Sequence, residues 1–324
     1  MRVLVGLCCT LIAWMATLPV AFAQSDFPSR PITIVVPFPP GGSSDTVTRL
    51  IAQKMAENLK INIVIDNRGG GGGVPAAVAF KQSPPDGYSL FLANNGVFAI
   101  MPALTPNVQF DPVKDFSPVT PLFAFPSVLV VPAASPAKSV QELVALAKTK
   151  AGGLNYGSQG VGSGGHILGE MLRQVSGAPF QHVPYRGAGP AVNDLVAGNI
   201  DLLFSSYVSA IGQVEAGKLR VLGWTAPKRS AALPNVPTMA EAGFKGTELE
   251  IWQGIVGPAN MPAPIVNKLN AEFIKAAKDP EIVKKVAAQA VDITTSTPAE
   301  FAKLIASDVA RLGKVIRDAG IKSQ

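Results

Sequence analysis

The reading of the fold turns on Pro31-Ile32-Thr33-Ile34-Val35-Val36-Pro37-Phe38-Pro39-Pro40-Gly41-Gly42-Ser43-Ser44-Asp45. Its first eight residues are apolar and rich in β-branched side chains, which reads as a buried strand. Pro39-Pro40-Gly41-Gly42 breaks the run with a turn, and Ser43, Ser44 or Asp45 can cap a following helix. Val47, Leu50, Ile51, Met55 and Leu59 then recur at helical spacing. Such a junction offers unpaired N–H groups and the positive end of a helix dipole to an anion. Gly41 and Gly42 let a ligand approach the backbone, Ser43 and Asp45 complete the turn, and Phe38 is available as an apolar wall. The same segment also fits an ordinary capped loop that binds nothing.

Outward from this stretch the alternation continues. Residues 61–65 (INIVI) return as a strand, Asn67-Arg68 and five glycines at 69–73 form a loop, and a helix is expected over 75–82. Pro84-Pro85-Asp86-Gly87 marks a turn before a third strand at 89–93. Asn94, just past that strand, is a further candidate ligand contact. The order βαβαβ implies right-handed crossovers and a mostly parallel sheet.

A second α/β series starts with a strand at 128–131. Ser139 with Glu142 three residues on reads as a capping box. Asn155-Tyr156 ends a strand. Helices are expected over 165–176, 191–197 and 210–216, and strands over 180–185, 200–204 and 219–224. The tail is helical over 263–278, 280–288 and 298–319. The fold class is therefore α/β, with two lobes, hinge strands and a ligand cleft between the lobes. Residues 26–126 with 248–324 make the first lobe and 127–247 the second, with crossings near 126–132 and 249–258. A chain that leaves one lobe and returns makes a cleft with more than one hinge.

The first 23 residues differ from the rest. Arg2 precedes an apolar run over 3–20, and Ala21-Phe22-Ala23 gives a small-x-small site before Gln24. That is the order of a secretory signal cleaved after Ala23, which predicts a periplasmic protein. The run is nearly long enough to span a membrane, but its single basic flank and Pro19 fit cleavage better. Both cysteines, Cys8 and Cys9, leave with the signal, so the mature chain has no disulfide and no thiolate metal site. Only His166 and His182 remain as imidazoles, which excludes a His-rich metal cluster.

Of the 324 residues, 48% are hydrophobic and 15% charged, a globular composition with a large core. Without Arg2 there are 27 basic and 22 acidic residues, a net charge of +5 with no Lys/Arg block. Nucleic acid is therefore not an expected partner, and a mild positive balance draws anionic solutes only weakly at physiological salt.

A second candidate loop is Asn155-Tyr156-Gly157-Ser158-Gln159-Gly160-Val161-Gly162-Ser163-Gly164-Gly165-His166. Again a strand meets glycines and a helix start. Ser158 and Ser163 can donate hydroxyls, Gly160 and Gly164 expose backbone, and His166 is the histidine expected nearer the cleft. Gly160, Gly162 and Gly165 also match G-x-G-x-x-G, but the next strand ends in Tyr185-Arg186 rather than an acid, which argues against a dinucleotide. Arg186 at that strand end suits a bidentate contact with a carboxylate, and equally suits an inter-lobe ion pair. Neither serine lies in G-x-S-x-G, and residues 69–73 lack a following Lys-Ser/Thr, so neither a nucleophile elbow nor a phosphate loop is present. The sequence predicts no enzyme, no cofactor and no metal.

Taken in order, these motifs resemble the substrate-binding receptors of tripartite tricarboxylate transporters, also called Bug receptors. The resemblance rests on residues 31–38 with Pro40-Gly41-Gly42 and Asp45, Asn67-Arg68 before glycines, and Asp86-Gly87-Tyr88. It continues through residues 155–168, Val183-Pro184-Tyr185-Arg186-Gly187, Ala216-Gly217-Lys218-Leu219-Arg220 and Leu233-Pro234-Asn235-Val236-Pro237-Thr238. It implies a type II periplasmic binding protein, monomeric, that holds a ligand carboxylate between the first loop and the 158–166 loop, partly through waters. It implies a small di-, tri- or aromatic carboxylate as ligand and membrane transporter subunits as partners. A receptor that docks on a signalling partner is the alternative. Many relatives carry Asp-Asn where this chain has Ser205-Ser206; serine cannot pair with a ligand ammonium, which disfavours an amino acid.

Overall fold

A computed structural model describes residues 27–105, 107–125, 127–230, 233–287 and 291–321. The candidate signal and its cleavage site lie outside the described residues, as do Pro126 in the first expected crossing and Ala288 at the end of an expected helix.

The chain begins with β1 (Ile32–Val36), α1 (Ser43–Leu59) and β2 (Ile63–Asn67), followed by a 3₁₀ turn over Gly71–Gly73, α2 (Val74–Phe80) and β3 (Ser89–Asn94). A π-helical turn over Gly96–Ile100 leads into α3 (Met101–Leu104) and then β4 (Phe116–Phe125). The second series is β5 (Ser127–Pro132), α4 (Val140–Thr149), β6 (Leu154–Ser158), α5 (Gly164–Ser176), β7 (Phe180–Pro184), α6 (Ala188–Ala197), β8 (Leu202–Ser206), α7 (Tyr207–Glu215) and β9 (Leu219–Trp224). The chain returns through β10 (Ile251–Pro258), α8 (Ala263–Ala277), α9 (Pro280–Ala287), β11 (Asp292–Ile293) and α10 (Pro298–Asp318).

The strands form two sheets. One has the order β11-β4-β10-β3-β1-β2, the other β7-β6-β8-β5-β9. β1 pairs in parallel with both β2 and β3, as βαβαβ requires. The first sheet is nonetheless mixed, because β10 inserts antiparallel between β3 and β4. The continuous apolar run of β1 has a physical cause. Ile32, Ile34 and Val36 pack with Val47, Ile51 and Met55 of α1 on one face, while Val35 faces Phe80, Phe91 and Phe98 on the other. Both faces are covered, so no polar alternation is needed.

Strand β4 is not legible in the sequence. Pro118 and Pro121 interrupt it, and prolines disqualify a central strand. Here β11 pairs only with Phe123 and Ala124, so residues 116–121 form an open edge where a missing N–H is tolerated. The register against β10 also shifts at Ile255/Val256 and Gln253/Gly254, opposite the two prolines.

The chain changes sheet between Phe125 and Ser127 and returns ahead of Ile251. Thr225 ties these crossings together: its N–H donates to Ser127 O at 3.0 Å, and its hydroxyl lies 3.1 Å from Ser127 O and 2.8 Å from Leu249 O. The lobes also share apolar interior. Leu312 and Ile316 of α10 are fully buried in the cluster that holds Leu168 and Leu172 of α5. The expected capping box at Ser139 is half formed. Ser139 accepts the Glu142 N–H at 3.1 Å, but the Glu142 carboxylate reaches back to the Lys138 N–H rather than to Ser139.

Candidate ligand cleft between the lobes

The first loop is braced by a buried carboxylate. α1 starts at Ser43, its N-cap is Gly42 in an extended conformation, and no side chain caps it. Ser43, Ser44 and Asp45 therefore lie inside the first turn, not at the cap. Asp45 turns back instead: it accepts the Gly41 N–H at 2.8 Å, the Arg49 Nε–H at 2.9 Å and the Asn67 amide at 2.9 Å. Burial alone would raise its pKa, but the donors from Arg49, Gly41 and Asn67 outweigh burial and hold the carboxyl below the ordinary carboxylate range. Asp45 is thus a brace within the protein and presents no group to a ligand. With Asp45 turned away, the N–H groups of Ser43, Ser44 and Asp45 have neither an intrahelical partner nor a side-chain cap. Gly41, at φ +85°, is open to solvent.

The second loop is braced from below by imidazoles. β6 runs two residues further than expected, to Ser158, which is fully buried. The Ser158 hydroxyl lies 2.7 Å from His182 Nε2 and 2.9 Å from Gly160 O, and it accepts the Gly160 N–H at 3.1 Å. His166 Nδ1 accepts the Gly162 N–H at 3.0 Å, and the two imidazoles stack with ring centroids 3.7 Å apart. Beneath them, Tyr156 donates to Glu170 at 2.7 Å, and Arg173 pairs with the same carboxylate. Burial lowers the pKa of both histidines, and His166 pushes that of His182 further, to about 4. Both rings are therefore neutral at physiological pH. Ser158 and His166 brace the loop from inside: the Ser158 hydroxyl bonds His182 and Gly160, and His166 Nδ1 bonds the Gly162 N–H. Ser163 is the N-cap of α5 and accepts the His166 N–H at 3.4 Å, leaving its own hydroxyl hydrogen uncommitted. The N–H groups of Gly164 and Gly165 follow it without intrahelical partners.

The remaining candidates divide. Tyr185 donates to Asp194 at 2.7 Å, and burial together with that bond pushes its pKa up to about 12. Arg186 is exposed and has no ion-pair partner among the described residues. Ser205 is buried with its Oγ unpaired, whereas Ser206 bonds Ser209 at 2.7 Å.

A cavity of about 260 Å³ lies where the lobes meet. Pro37, Phe38 and Pro39 contribute from the first loop, Gly70, Gly72 and Gly73 from the glycine run, and Gly162 from the other lobe. Asn94, Gly96, Val97, Ile100 and Met101 complete it. Of the expected ligand residues, Phe38 and Asn94 line this cavity; residues 41–43 and 163–164 adjoin its walls in sequence. The wall over residues 96–101 was missed. Its signal was its place, directly after the carboxyl end of β3, where open α/β sheets bind ligands. Asn94 Oδ1 accepts the Val97 N–H at 2.9 Å, which fixes the amide and leaves its buried Nδ2 without a partner.

Two larger cavities, about 330 and 480 Å³, share Glu250, Thr294 and Pro227 beside β9, β11 and α10. Burial and Asp292 push the Glu250 pKa up to about 7. Neither cavity is lined by the strand-to-helix loops that expose N–H groups, so the smaller cavity suits an anion better. Among the described residues no helix is long and apolar enough to cross a membrane, and no group of His, Cys, Asp and Glu is placed to hold a metal.

The family model for the tripartite tricarboxylate transporter family receptor matches residues 47–321. A protein of the tcbD-tcbE intergenic region of Pseudomonas sp. strain P51 is 38% identical over 291 residues, 90% of this chain and 86% of that one. The R. palustris protein Rpa4515, solved with adipate, is 32% identical with a TM-score of 0.76 over 92% of this chain and 99% of that chain. The periplasmic binding protein BugD is 30% identical, with a TM-score of 0.72 over 92% of this chain and all of that chain. Sequence motifs, two-sheet architecture and inter-lobe cleft all carry the same assignment: the chain belongs to the tripartite tricarboxylate transporter family of receptors, with the two-lobe fold of periplasmic binding proteins.

Proposed function

We propose that this chain is a periplasmic receptor that captures a small carboxylate between its lobes, leaves it chemically unchanged and delivers it to the membrane subunits of a secondary tripartite transporter. One observation carries the reading. Two glycine-rich strand-to-helix loops, one from each sheet, flank a single cavity; the helix after the first has no side-chain cap, and the helix after the second, capped by Ser163 at the His166 N–H, still begins with the N–H groups of Gly164 and Gly165. Residues 26–126 with 248–324 form one lobe and 127–247 the other, in line with the sheet to which each strand belongs. A carboxylate gripped by residues 42–44 on one lobe and 163–165 on the other favours the closed form, because only that form makes both sets of bonds. The chain reaches its compartment through the signal at 1–23 and begins at Gln24 after cleavage.

The test is a thermal-shift screen of the mature protein against small carboxylates, with the bound acid recovered and weighed by mass spectrometry. A raised melting temperature with the acid recovered intact supports a receptor. Consumption of the acid by metal-free protein overturns it. N-terminal sequencing of periplasmic extract checks Gln24; membrane-bound protein that retains Met1 refutes the signal.

A further inference from the structure

We infer that the ligand is a monocarboxylate with a compact apolar body and an uncharged hydrogen-bond acceptor at its far end, rather than a di- or tricarboxylate. The inference rests on the receptor reading above and narrows its substrate.

The cavity wall is the first reason. Apart from Asn94 its side chains are apolar, chiefly those of Phe38, Val97, Ile100 and Met101, and no Lys, Arg or His lines it. The wall is also closely packed. A Cβ added to Gly72 would lie 2.9 Å from Met101 Cε, and one added to Gly73 would lie 2.6 Å from Val97 Cγ2. Met101 and Val97 therefore press directly on the glycine run, and the slot between them and Phe38 has little freedom to widen for a hydrated group.

The polar inventory is the second reason. A carboxylate taken from water needs several donors or a cation to compensate its lost hydration. The loop ends provide donors for one such group, at the starts of α1 and α5. Deeper in, the only polar side chain on the wall is Asn94. The residue is 3% exposed, its amide is oriented by the Val97 N–H, and its NH2 group, with two N–H donors, is left unpaired. One neutral NH2 group, with no cation beside it, suits a hydroxyl or carbonyl oxygen and falls short of what a second carboxylate needs.

The experiment is isothermal titration of the mature protein with benzoate, 4-hydroxybenzoate, adipate, malate and citrate. Benzoate should bind at least about tenfold more tightly than adipate, malate or citrate. 4-Hydroxybenzoate should bind several-fold more tightly than benzoate. Asn94→Leu, close in shape and with neither donor nor acceptor, should abolish the preference for the hydroxylated acid, and its melting temperature checks that the turn survives loss of the Val97 bond. Phe38→Ala, at a half-buried loop position, should weaken benzoate about tenfold while melting like the parent. If adipate, malate or citrate binds more tightly than benzoate, the inference is overturned and the receptor reading stands. If none of the five acids binds the folded protein, both fall.

Discussion

The stacked histidines beneath the second loop make acid stability measurable. His182 has its pKa lowered from 6.5 to about 4 by burial and by the adjacent His166. The sign follows from proton uptake. Below pH 6.5 the unfolded chain protonates this imidazole while the folded protein resists until about pH 4. Stability is therefore complete above 6.5 and lost as the pH falls towards 4. A shift of this size corresponds to about 3 kcal/mol in full, of which about 2 kcal/mol are lost between pH 7 and 4.5. His182→Gln retains a side chain able to hydrogen-bond Ser158 but does not titrate. Urea denaturation followed by circular dichroism at pH 7 and pH 4.5 gives both slopes. The parent should lose about 2 kcal/mol more than the variant over that interval. Glu170, Arg173 and Tyr156 also face the pair, but they are present in both proteins and cancel in the difference. Equal losses in the two proteins would refute the claim that a neutral imidazole is required here. Ligand affinity should fall once His166 is protonated, since its Nδ1 then cannot accept the Gly162 N–H that shapes the loop.

Other outcomes are equally direct. Asp45→Ala strips partners from the Gly41 N–H and the Asn67 amide and should cost about 2–3 kcal/mol by denaturation, with ligand binding lost. Gly42→Asp should fold, because Gly42 has φ −74° and nothing closer than 3.9 Å to an added Cβ, yet weaken carboxylate binding about tenfold or more by calorimetry. In Gly162→Ala the new Cβ would fall 2.3 Å from Leu104 Cδ1 at φ +76°, so Leu104 must turn aside and the strained loop should cost about 1–2 kcal/mol by urea denaturation. Trp252→Phe leaves the buried Asp308 without its 2.8 Å indole bond and should cost about 1–2 kcal/mol.

The parts of the fold that announce themselves by periodicity were legible: β1, the stripe of α1, and the α/β series from β5 to β9. What stayed hidden depended on tertiary context. β4 could not be read because its prolines are tolerated only along an edge that β11 leaves open. The turn at residues 96–104 is too short for a helical pattern to show. The two strand-to-helix loops were legible from glycines and strand ends, but the hydrogen-bond partners of their side chains were not. Ser158 looks like a ligand donor until parallel pairing sets Tyr156 beside His182 and Ser158 beside Pro184, which brings the second imidazole under its hydroxyl. Asp45 looks like a cap until its carboxylate is seen folded back on Gly41. Hydrogen-bond partners distant in sequence decide such cases, and no local pattern encodes them.

The reach of α10 into the other lobe has a mechanical consequence. Leu312 and Ile316 sit in the interior that holds Leu168 and Leu172, and Arg311 donates to Glu248 O at 2.7 Å in the returning segment. Two bodies joined only by strands could swing about many axes. A helix packed across them restricts those axes, because any swing that parts α10 from α5 exposes Leu312 and Ile316. The two halves should also lose their structure together on heating, in one transition rather than two, since neither can melt without exposing residues the other needs. Truncation after Val309 should uncouple them, and a second calorimetric peak would appear where the full chain has one.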